Sequence, residues 1–404
     1  MEKKKLMLIS PMLHQGGFER VCVTTARLME PYFDVTIVIF NSANIAYDVK
    51  GLKIIDLKLG VRKGKVRKII NILKRSRKLK KIKQDLKPDI AYSFGPTANM
   101  ANAFSKTKST KTKVWLGMRN YTDVEERLKI RLFTRLADLI ICCSKEIEKE
   151  INVKFHYNKT AVLYNLYDVN AIRKEAEEKE PELPWKEPDE PKKRLRYLIS
   201  MGRDDDMKGF WHMLKVFALV HEKVPETRLI LLGAGTFEYY KKMADDLKIA
   251  DVVHFAGMQR EPYKYLKKGD IYLLTSSNEG FPNALVEGMT LGLAAVSVNC
   301  KTGPAEILCG EDSVSLDRIM EEKTDVIYGK YGIVLPVMGK KRNLNAEEIE
   351  PLERRMAQVV TELLQDEANL QKYQEAARMR AQMFSYENYV SSFLSLTDAA
   401  ISKP

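Results

Sequence analysis

The sequence has little of what staples, metal centres or membrane spans require. Its 404 residues hold five cysteines, Cys22, Cys142, Cys143, Cys300 and Cys309, an odd number at irregular spacing. Each lies in an apolar or strand-like stretch. None forms a pair with zinc-ligand spacing and histidines nearby, so they read as reduced, buried thiols of a reducing compartment. No apolar run approaches the roughly 20 residues needed to span a bilayer. The N-terminus offers three lysines and the short stretch Leu6–Ile9, followed at once by Ser10, Pro11, His14 and Gln15. That is too short for a secretory signal and reads as a first buried strand, which predicts a cytoplasmic protein. Acid is scarce in one place: from Arg62 to Lys87 there are 13 Lys or Arg residues and only Asp85 against them.

What is present fits a soluble globular chain of about two or three domains, 45% hydrophobic and 30% charged. The net charge of +13 favours anionic partners such as phosphorylated substrates, anionic lipid or nucleic acid. Nucleic acid is the weakest of these, because no aromatic platform accompanies the cations.

Strand-like and helix-like segments alternate through the first half. Leu6–Ser10 is followed by a Gly16–Gly17 turn and an amphipathic helix over 18–30. Further strands are expected at Val35–Phe40, Ile54–Leu57, Asp89–Phe94, Val114–Met118 and Leu139–Cys143, with a helix over 124–136. Residues 174–194 hold four prolines and are mostly charged, so they read as an exposed linker. Trp185 within it is either a docking residue or an exposed aromatic. The alternation then restarts at Tyr197–Met201 and runs through strands at Arg228–Leu232, Val252–Phe255, Ile271–Thr275 and Ala294–Asn299. Helices are expected at 208–223, 236–247, 262–268 and 283–291, and the last segment, about 351–397, is amphipathic and helical. The class is α/β: two Rossmann-like, doubly wound domains facing across a cleft, with ligands at the carboxyl ends of both sheets. The expected division is residues 1–173 and 195–375 about the 174–194 linker. A final helix, 376–404, packs back on the N-terminal domain.

Three loops carry the candidate chemistry. Gly202-Arg203-Asp204-Asp205-Asp206-Met207-Lys208-Gly209 places two cations at a strand's carboxyl end beside a helix N-terminus, where a diphosphate is favoured and can be stabilised as a leaving group. The same string could be a plain capping loop. Its three aspartates read as caps rather than metal ligands, since Arg203 and Lys208 compete with any cation. The run Glu279-Gly280-Phe281-Pro282-Asn283-Ala284-Leu285-Val286-Glu287 follows a strand and opens a helix. Gly280 permits close backbone approach and Pro282 suits a first turn. Amides from Phe281 to Ala284 would face an anion. Taken as one helix, Glu279 and Glu287 lie roughly 12 Å apart along its axis, enough to touch a sugar and a ribose of one extended ligand. Thr302-Gly303-Pro304-Ala305-Glu306 adds another glycine turn at the same sheet edge. Gly233-Ala234-Gly235 is a fragment of a phosphate-binding pattern.

From Met201 to Leu308 these motifs, with Val253–Gly257, Pro262–Tyr263 and Gly303–Ile307, resemble the C-terminal domain of glycosyltransferase family 4. That is a large retaining group of GT-B architecture. Gly16 to Arg20 (GGFER) resembles the family's N-terminal glycine loop, and Arg119-Asn120 a recurrent pair there. The resemblance implies a nucleotide-diphosphate-sugar donor, retention of anomeric configuration and no required metal or cofactor. By position it assigns Arg203 and Lys208 to the diphosphate, Glu279 to the donor sugar and Glu287 to the ribose. Gly202, Gly280, Phe281, Pro282, Asn283, Ala284 and Gly303 would line the donor site, with Gly16 and Gly17 closing over the phosphates. Arg203, Lys208 and Glu279 form the expected catalytic set. Members of this kind use UDP-sugars in capsule, lipopolysaccharide or glycan-lipid assembly. Asn278, Leu293-Ala294 and Asn299 depart from the family pattern and bear on which sugar is taken. His14 and His156 match no family histidine and are left outside the catalytic set.

Residues 61–87 carry Val66, Ile69, Ile70, Leu73, Leu79, Ile82 and Leu86 at helical spacing among the cations. Either this stripe packs on the core, or the helix lies on an anionic membrane or grips a pyrophosphate-linked lipid. In the second case Arg67, Lys68, Lys74, Arg75, Arg77 and Lys78, with Arg119, face the acceptor or the membrane. The combined expectation is a peripheral enzyme on the inner face of the plasma membrane. It would move a hexosyl or N-acetylhexosaminyl group from a UDP-sugar to a lipid-linked or polysaccharide acceptor. The alternatives are a sugar-nucleotide epimerase of similar fold and a non-enzymatic basic protein that binds membranes or polyanions.

Overall fold

The computed structural model describes residues 3–14, 16–60, 64–107, 109–188, 194–310 and 326–401. The chain divides into two compact units, Met1–Leu166 with Tyr386–Pro404, and Tyr167–Ser385. Both crossings come later or earlier than the linker composition suggests. Tyr167 bridges Ser385, and its amide donates to the Phe384 carbonyl at 3.0 Å, which stitches the two ends of the second unit together.

The first unit is built on a seven-stranded sheet. Its strands are β1 (Lys4–Ser10), β2 (Phe33–Ile39), β3 (Lys53–Asp56), β4 (Ile90–Phe94), β5 (Lys113–Met118), β6 (Leu139–Cys142) and β7 (Thr160–Val162), in the order β3-β2-β1-β4-β5-β6-β7, all parallel. The order reverses between β1 and β4, which opens a crevice at their carboxyl ends. Helices α1 (Gly17–Met29), α2 (Lys65–Leu86), α3 (Pro96–Phe104), α4 (Thr122–Glu125), α5 (Arg127–Leu136) and α6 (Lys145–Phe155) connect the strands. The predicted 124–136 helix is two, broken at Glu126, whose ψ of 70° is not helical. The last helix completes the core. Its Phe393 ring lies 6.3 Å from Phe33 and Tyr92 and 5.7 Å from Trp115, and Tyr389 shares a 2.7 Å hydrogen bond with Thr25.

The second unit opens with α7 (Val169–Glu178). Its sheet holds β8 (Arg196–Met201), β9 (Thr227–Leu232), β10 (Val253–Gly257), β11 (Ile271–Leu274), β12 (Ala294–Val298), β13 (Ile327–Tyr328) and β14 (Ile333–Leu335), in the order β10-β9-β8-β11-β12-β14-β13. Only the β13–β14 pair is antiparallel. Helices α8 (Phe210–Lys223), α9 (Glu238–Asp246), α10 (Tyr263–Leu266), α11 (Asn283–Leu291) and α12 (Pro304–Cys309) follow their strands. Helices α13 (Pro351–Gln365) and α14 (Glu367–Gln382) close the unit, and the hand-over to α15 (Tyr386–Ile401) falls inside the segment predicted as one terminal helix. All five cysteines are buried.

The described part of the 174–194 segment is mostly exposed but is tied to the second unit. Its first residues finish α7, with Ala176 buried. Lys179 pairs with Glu261 at 2.5 Å, and Glu180 with Lys267 and Lys268, both at 2.7 Å. Trp185 is a docking residue: its indole donates to the Asp251 carbonyl at 2.7 Å, and Arg228 lies over its ring at 5.7 Å. Residues 189–193 lie outside the described residues.

The core of the first unit contains a lysine. Lys83 on α2 is fully buried, and its ammonium donates to Asn102 Oδ1 at 2.7 Å. Asn102 in turn donates to the Ala91 carbonyl at 2.9 Å, so the network joins α2, α3 and β4. Burial pulls the Lys83 pKa down to about 7, opposed by the charge of Asp138. The folded chain therefore sheds this proton more readily than the unfolded chain does. The cost of burying Lys83 is full below pH ~7 and is relieved as pH rises toward the ordinary lysine range. Denaturant unfolding of the wild type and Lys83→Met should show the wild type gaining relative stability between pH 7 and 10, by at most about 1.4 kcal/mol per pH unit. Parallel curves for the two proteins over that range would place the ammonium in water.

Candidate functional site

The reversal point of the second sheet lies between β8 and β11, and the two loops leaving those strands meet there. Lys208, after β8, donates to Glu279 Oε1, after β11, at 2.7 Å. Both side chains are largely buried, 23% and 13% exposed, so each meets its partner with little competition from water. The loops are also joined through backbone. Ser277 N donates to the Met207 carbonyl at 2.8 Å, and Thr275 Oγ1 donates to the Lys208 and Gly209 carbonyls, both at 3.0 Å. Gly209 has φ +63°, and a Cβ there would lie 2.5 Å from the Thr275 carbonyl oxygen, so only glycine permits this approach.

Arg203 is exposed on the same loop as Lys208, whereas Asp204, Asp205 and Asp206 each have a structural task. Asp204 Oδ2 accepts from Phe237 N at 2.9 Å and Asp204 N donates to the Ala234 carbonyl at 2.8 Å. Asp205 caps a short 3-10 turn over Asp206–Lys208 through Met207 N, and Asp206 pairs with Arg342 at 3.2 Å. The predicted 208–223 helix is thus two pieces, the 3-10 turn and α8, parted at Gly209. Gly233-Ala234-Gly235 also has a packing role. A Cβ on Gly233 would stand 1.8 Å from the Gly202 carbonyl oxygen, and one on Gly235 2.1 Å from Asp204 Cβ. These glycines let the loop after β9 press against the loop that holds Arg203 and Lys208.

Helix α11 starts at Asn283, so Glu279 lies on the preceding loop and not on the helix with Glu287. The 12 Å helical spacing expected from the sequence therefore does not apply. The Thr302 hydroxyl donates to the Glu279 carbonyl, and Gly303, at φ +101°, packs where a Cβ would come within 2.4 Å of Pro282 Cδ. Gly280 sits at this bend, where Pro282 ends the loop and has no side-chain oxygen to cap the first turn of α11. The helix begins with the amides of Asn283 and Ala284 directed back toward the loop. Asn283 Oδ1 accepts from the Tyr167 hydroxyl at 2.5 Å, and Phe281 is buried with its ring edge-on to Phe384 at 5.5 Å. Glu287 is 5% exposed. Its charge, with those of Glu178 and Glu261, adds to the effect of burial in raising the Glu175 carboxyl. Neither Tyr167 nor Thr275 was singled out in the sequence, where a lone tyrosine and a strand-end threonine carry no motif.

Among the described residues, one group has ligand atoms close enough for a metal, His212, Glu350 and Glu353, within 4.8 Å of one another. Those atoms serve as helix fastenings. His212 Nδ1 lies 2.6 Å from Glu353 Oε1, His212 Nε2 donates to the Gly339 carbonyl at 2.7 Å, and Glu350 with Glu353 forms the capping box of α13.

In the first unit, Gly16 is the N-cap of α1 and is held by Tyr47, whose hydroxyl donates to its carbonyl at 2.7 Å and accepts from its amide at 2.9 Å. Arg119, after β5, is bonded to the Tyr92 hydroxyl at 2.5 Å and to Asn165 Oδ1 at 3.2 Å, with its guanidinium 5.3 Å from the Phe94 ring centre. The basic helix is packed on its unit along one side and exposed along the other. Its seam on the core is mostly polar: Asn71 donates to the Gly60 carbonyl at 2.8 Å, and Arg75 to the Leu59 carbonyl at 2.6 Å. Arg75 is a correction to the expected acceptor or membrane set. It is 6% exposed and lies over the Phe40 ring at 4.3 Å. Leu79 is buried, yet Val66, Ile69, Ile70 and Leu73 are 70%, 60%, 47% and 46% exposed. Arg67, Lys68, Lys74, Arg77 and Lys78 are exposed around them, with Lys78 reaching the Leu57 carbonyl at 2.8 Å.

Comparison with known proteins agrees with this geometry. Residues 183–316 match the family described as glycosyl transferases group 1. An uncharacterized glycosyltransferase of Methanocaldococcus jannaschii is 29% identical over 82% of this chain and 84% of its own length. The N-acetylgalactosamine-N,N'-diacetylbacillosaminyl-diphospho-undecaprenol 4-alpha-N-acetylgalactosaminyltransferase of Campylobacter jejuni is 26% identical over 78% of this chain and 85% of its own length. Among solved structures, Anabaena HepE in complex with UDP superposes with a TM-score of 0.69 at 15% identity, covering 98% of this chain and 100% of that one. The fold is that of the GT-B glycosyltransferases. Residues 183–316 thus carry the glycosyl transferases group 1 family, and the two relatives that match most of the chain are glycosyltransferases.

The glycine at 233 offers a direct check on how the loops are held. Gly233→Ala should lower stability by more than about 1 kcal/mol, because its φ of +142° and the 1.8 Å contact must both yield. It should also weaken nucleotide binding measured by calorimetry, since the loop carrying Lys208 shifts with it. Unaltered melting and nucleotide affinity would show that this close approach does not hold the loop.

Proposed function

We propose that this chain is a retaining, family 4-like glycosyltransferase. It moves a hexosyl or N-acetylhexosaminyl group from a UDP-sugar to a lipid-linked or polysaccharide acceptor. The observation that carries the reading is the Lys208–Glu279 pair at the sheet's reversal point, with exposed Arg203 on the same loop as Lys208 and α11 opening a few residues on from Glu279. A cation held at this position can move from the carboxylate to a diphosphate as negative charge develops on the leaving UDP, with Arg203 supplying a second charge. Glu279 is then released to accept hydrogen bonds from the donor sugar, and buried Glu287 on α11 suits a ribose diol.

In the transfer, the bond from the sugar's anomeric carbon to the diphosphate oxygen breaks, and a bond to the acceptor oxygen forms on the same face. The acceptor proton passes to the departing phosphate. That route asks the protein for positioning and charge stabilisation rather than a covalent nucleophile. No metal or other cofactor has a role in it. UDP is favoured as the carrier by the fold shared with a UDP-bound protein, and a lipid-linked acceptor by the diphospho-undecaprenol acceptor in the name of the Campylobacter relative.

Arg203→Ala and Lys208→Ala should each reduce release of UDP from the correct nucleotide sugar by at least about a hundredfold, as expected for removing a transition-state cation. The exposed Arg203→Ala should keep its melting temperature, whereas Lys208→Ala should melt lower because Glu279 loses its partner. Glu287→Ala should weaken UDP binding by about tenfold or more in calorimetry. Three active variants with wild-type UDP affinity would defeat the site. An acceptor-independent change of the sugar, seen by NMR, would favour an epimerase instead.

The exposed half of α2 fits the surface of an anionic membrane, where apolar side chains enter the interface and cations meet lipid phosphates. No described helix is long and apolar enough to cross a membrane, so such attachment would be peripheral, on the cytoplasmic face. Replacing Ile69 and Ile70 with Asn should lower co-sedimentation with phosphatidylglycerol vesicles by about tenfold or more. Raising salt alone should weaken the wild type only in part, because the apolar contribution is unscreened. Equal vesicle binding by the variant would return these residues to simple solvent exposure.

A further inference from the structure

Glu19 is a buried carboxylate that the folded chain leaves half used. It lies in the first turn of α1, 7% exposed, at the carboxyl end of β1 where the sheet order reverses against β4. A glutamate at this helical position ordinarily folds back to close on the N-cap amide. Here that amide, on Gly16, is already bonded to the Tyr47 hydroxyl at 2.9 Å. Oε2 of Glu19 is buried with no hydrogen-bond partner among the described residues. It lies directly against Gly16: a Cβ on that glycine would stand 2.3 Å from it. The glycine thus leaves room for the carboxyl, not only for chain flexibility. An unmatched buried oxygen opposes folding, and such atoms in native proteins call for an explanation, a missing ligand being one.

The chemistry of the site restricts that ligand. Burial raises the Glu19 carboxyl above its usual range, opposed by a bond to its own backbone amide and by the charge of His14. His14 Nε2 is bonded to the Ala43 carbonyl at 2.8 Å. Tyr47 is itself raised by burial and by Glu19, and Cys22, one turn further along α1, feels both Arg119 and Glu19. A carboxyl at a helix N-terminus occupies the place a phosphate would take, and if ionised it repels one. A neutral hydroxyl has no such conflict, since it donates to a carboxylate or accepts from a carboxylic acid.

We propose that Glu19 binds a carbohydrate hydroxyl, its free Oε2 beside Gly16 forming one wall of a sugar subsite in the N-terminal unit. The proposal rests on the glycosyl-transfer reading above and extends it to a residue that neither the motif comparison nor the donor loops assign. The hydroxyl belongs to the acceptor sugar or to the donor sugar, and kinetics separates the two.

The test uses the full chain, with Glu19→Ala and Glu19→Gln. UDP-glucose, UDP-galactose and UDP-N-acetylglucosamine serve as donors. Octyl β-glucoside and octyl N-acetyl-β-glucosaminide, below micelle-forming concentrations, serve as acceptors. Glu19→Ala should raise the acceptor KM by about tenfold or more, while UDP affinity by calorimetry stays within about twofold. Glu19→Gln keeps a donor and an acceptor of equal reach and should stay within about threefold of wild type. A rise confined to the donor-sugar KM would support the same contact and give the hydroxyl to the donor. KM values for both substrates unchanged in Glu19→Ala would overturn the proposal while leaving glycosyl transfer intact. If the wild type transfers nothing, the octyl glycosides should still raise its melting temperature and fail to raise that of Glu19→Ala. Equal protection of both proteins, or protection of neither, refutes the subsite.

Discussion

The second unit depends on bringing a cation and a carboxylate together at the one place where its sheet reverses direction. Lys208 and Glu279 follow neighbouring strands, so their meeting follows from topology, but keeping them in contact takes more. The loop after β8 is held from three sides: Thr275 and Ser277 bond its far end, Asp204 ties its middle to the loop after β9, and Gly233 accepts its start at a distance no side chain would tolerate. The loop after β11 is fastened by Thr302 and by Gly303 packed on Pro282. Much of the sequence between 202 and 306 that bears no charge is therefore devoted to presenting two charged groups. Mutual neutralisation keeps a largely buried lysine and glutamate from being isolated charges when no substrate is bound.

That division of labour explains what the sequence disclosed. Charged residues beside glycines at strand ends were legible because the chemistry they serve restricts residue type. Arg203, Lys208, Glu279 and Glu287 stood out together in their spacing. The alternation of strands and helices was legible because burial imposes a period, and α11 begins and ends at the residues its apolar pattern marks. The fastenings were not legible. Thr275, Tyr167 and Asp204 act through single hydrogen bonds to partners far along the chain, and nothing local marks such a residue. Gly233-Ala234-Gly235 looked like part of a phosphate loop because its composition is the same whether backbone approaches an anion or another backbone. Residues 174–188 looked like a linker because proline and charge dominate there. Their order comes from four ion pairs and one indole that composition cannot locate.

The basic helix shows a related ambiguity settled by packing. Its apolar residues share one stripe by spacing, and that stripe predicts a single face turned one way. The structure divides it instead. Leu79 reaches the core, while Asn71, Arg75 and Lys78 hold the N-terminal half to its own unit through the carbonyls of residues 57–60. Because polar groups form the seam, the isoleucines are left on the surface. Leaving four large apolar side chains in water along one helix forgoes stabilisation on the order of several kcal/mol. That cost, and the cations around it, are what the proposed anionic membrane contact would account for.

The two units place a carboxylate at the same topological point and treat it in opposite ways. In the second unit the carboxylate meets a lysine, so the crevice holds a balanced pair of charges, a state suited to a ligand that brings negative charge and displaces one partner. In the first unit Glu19 meets no cation at bonding distance among the described residues, and burial biases it toward its neutral form. A diphosphate would find nothing at Glu19 to displace and nothing to neutralise it, but a hydroxyl would find an unmet hydrogen bond. Under the proposed function, the contrast would give charge handling to the crevice between β8 and β11 and hydroxyl handling to the crevice between β1 and β4. A reaction that moves a sugar off a diphosphate and onto a hydroxyl needs both.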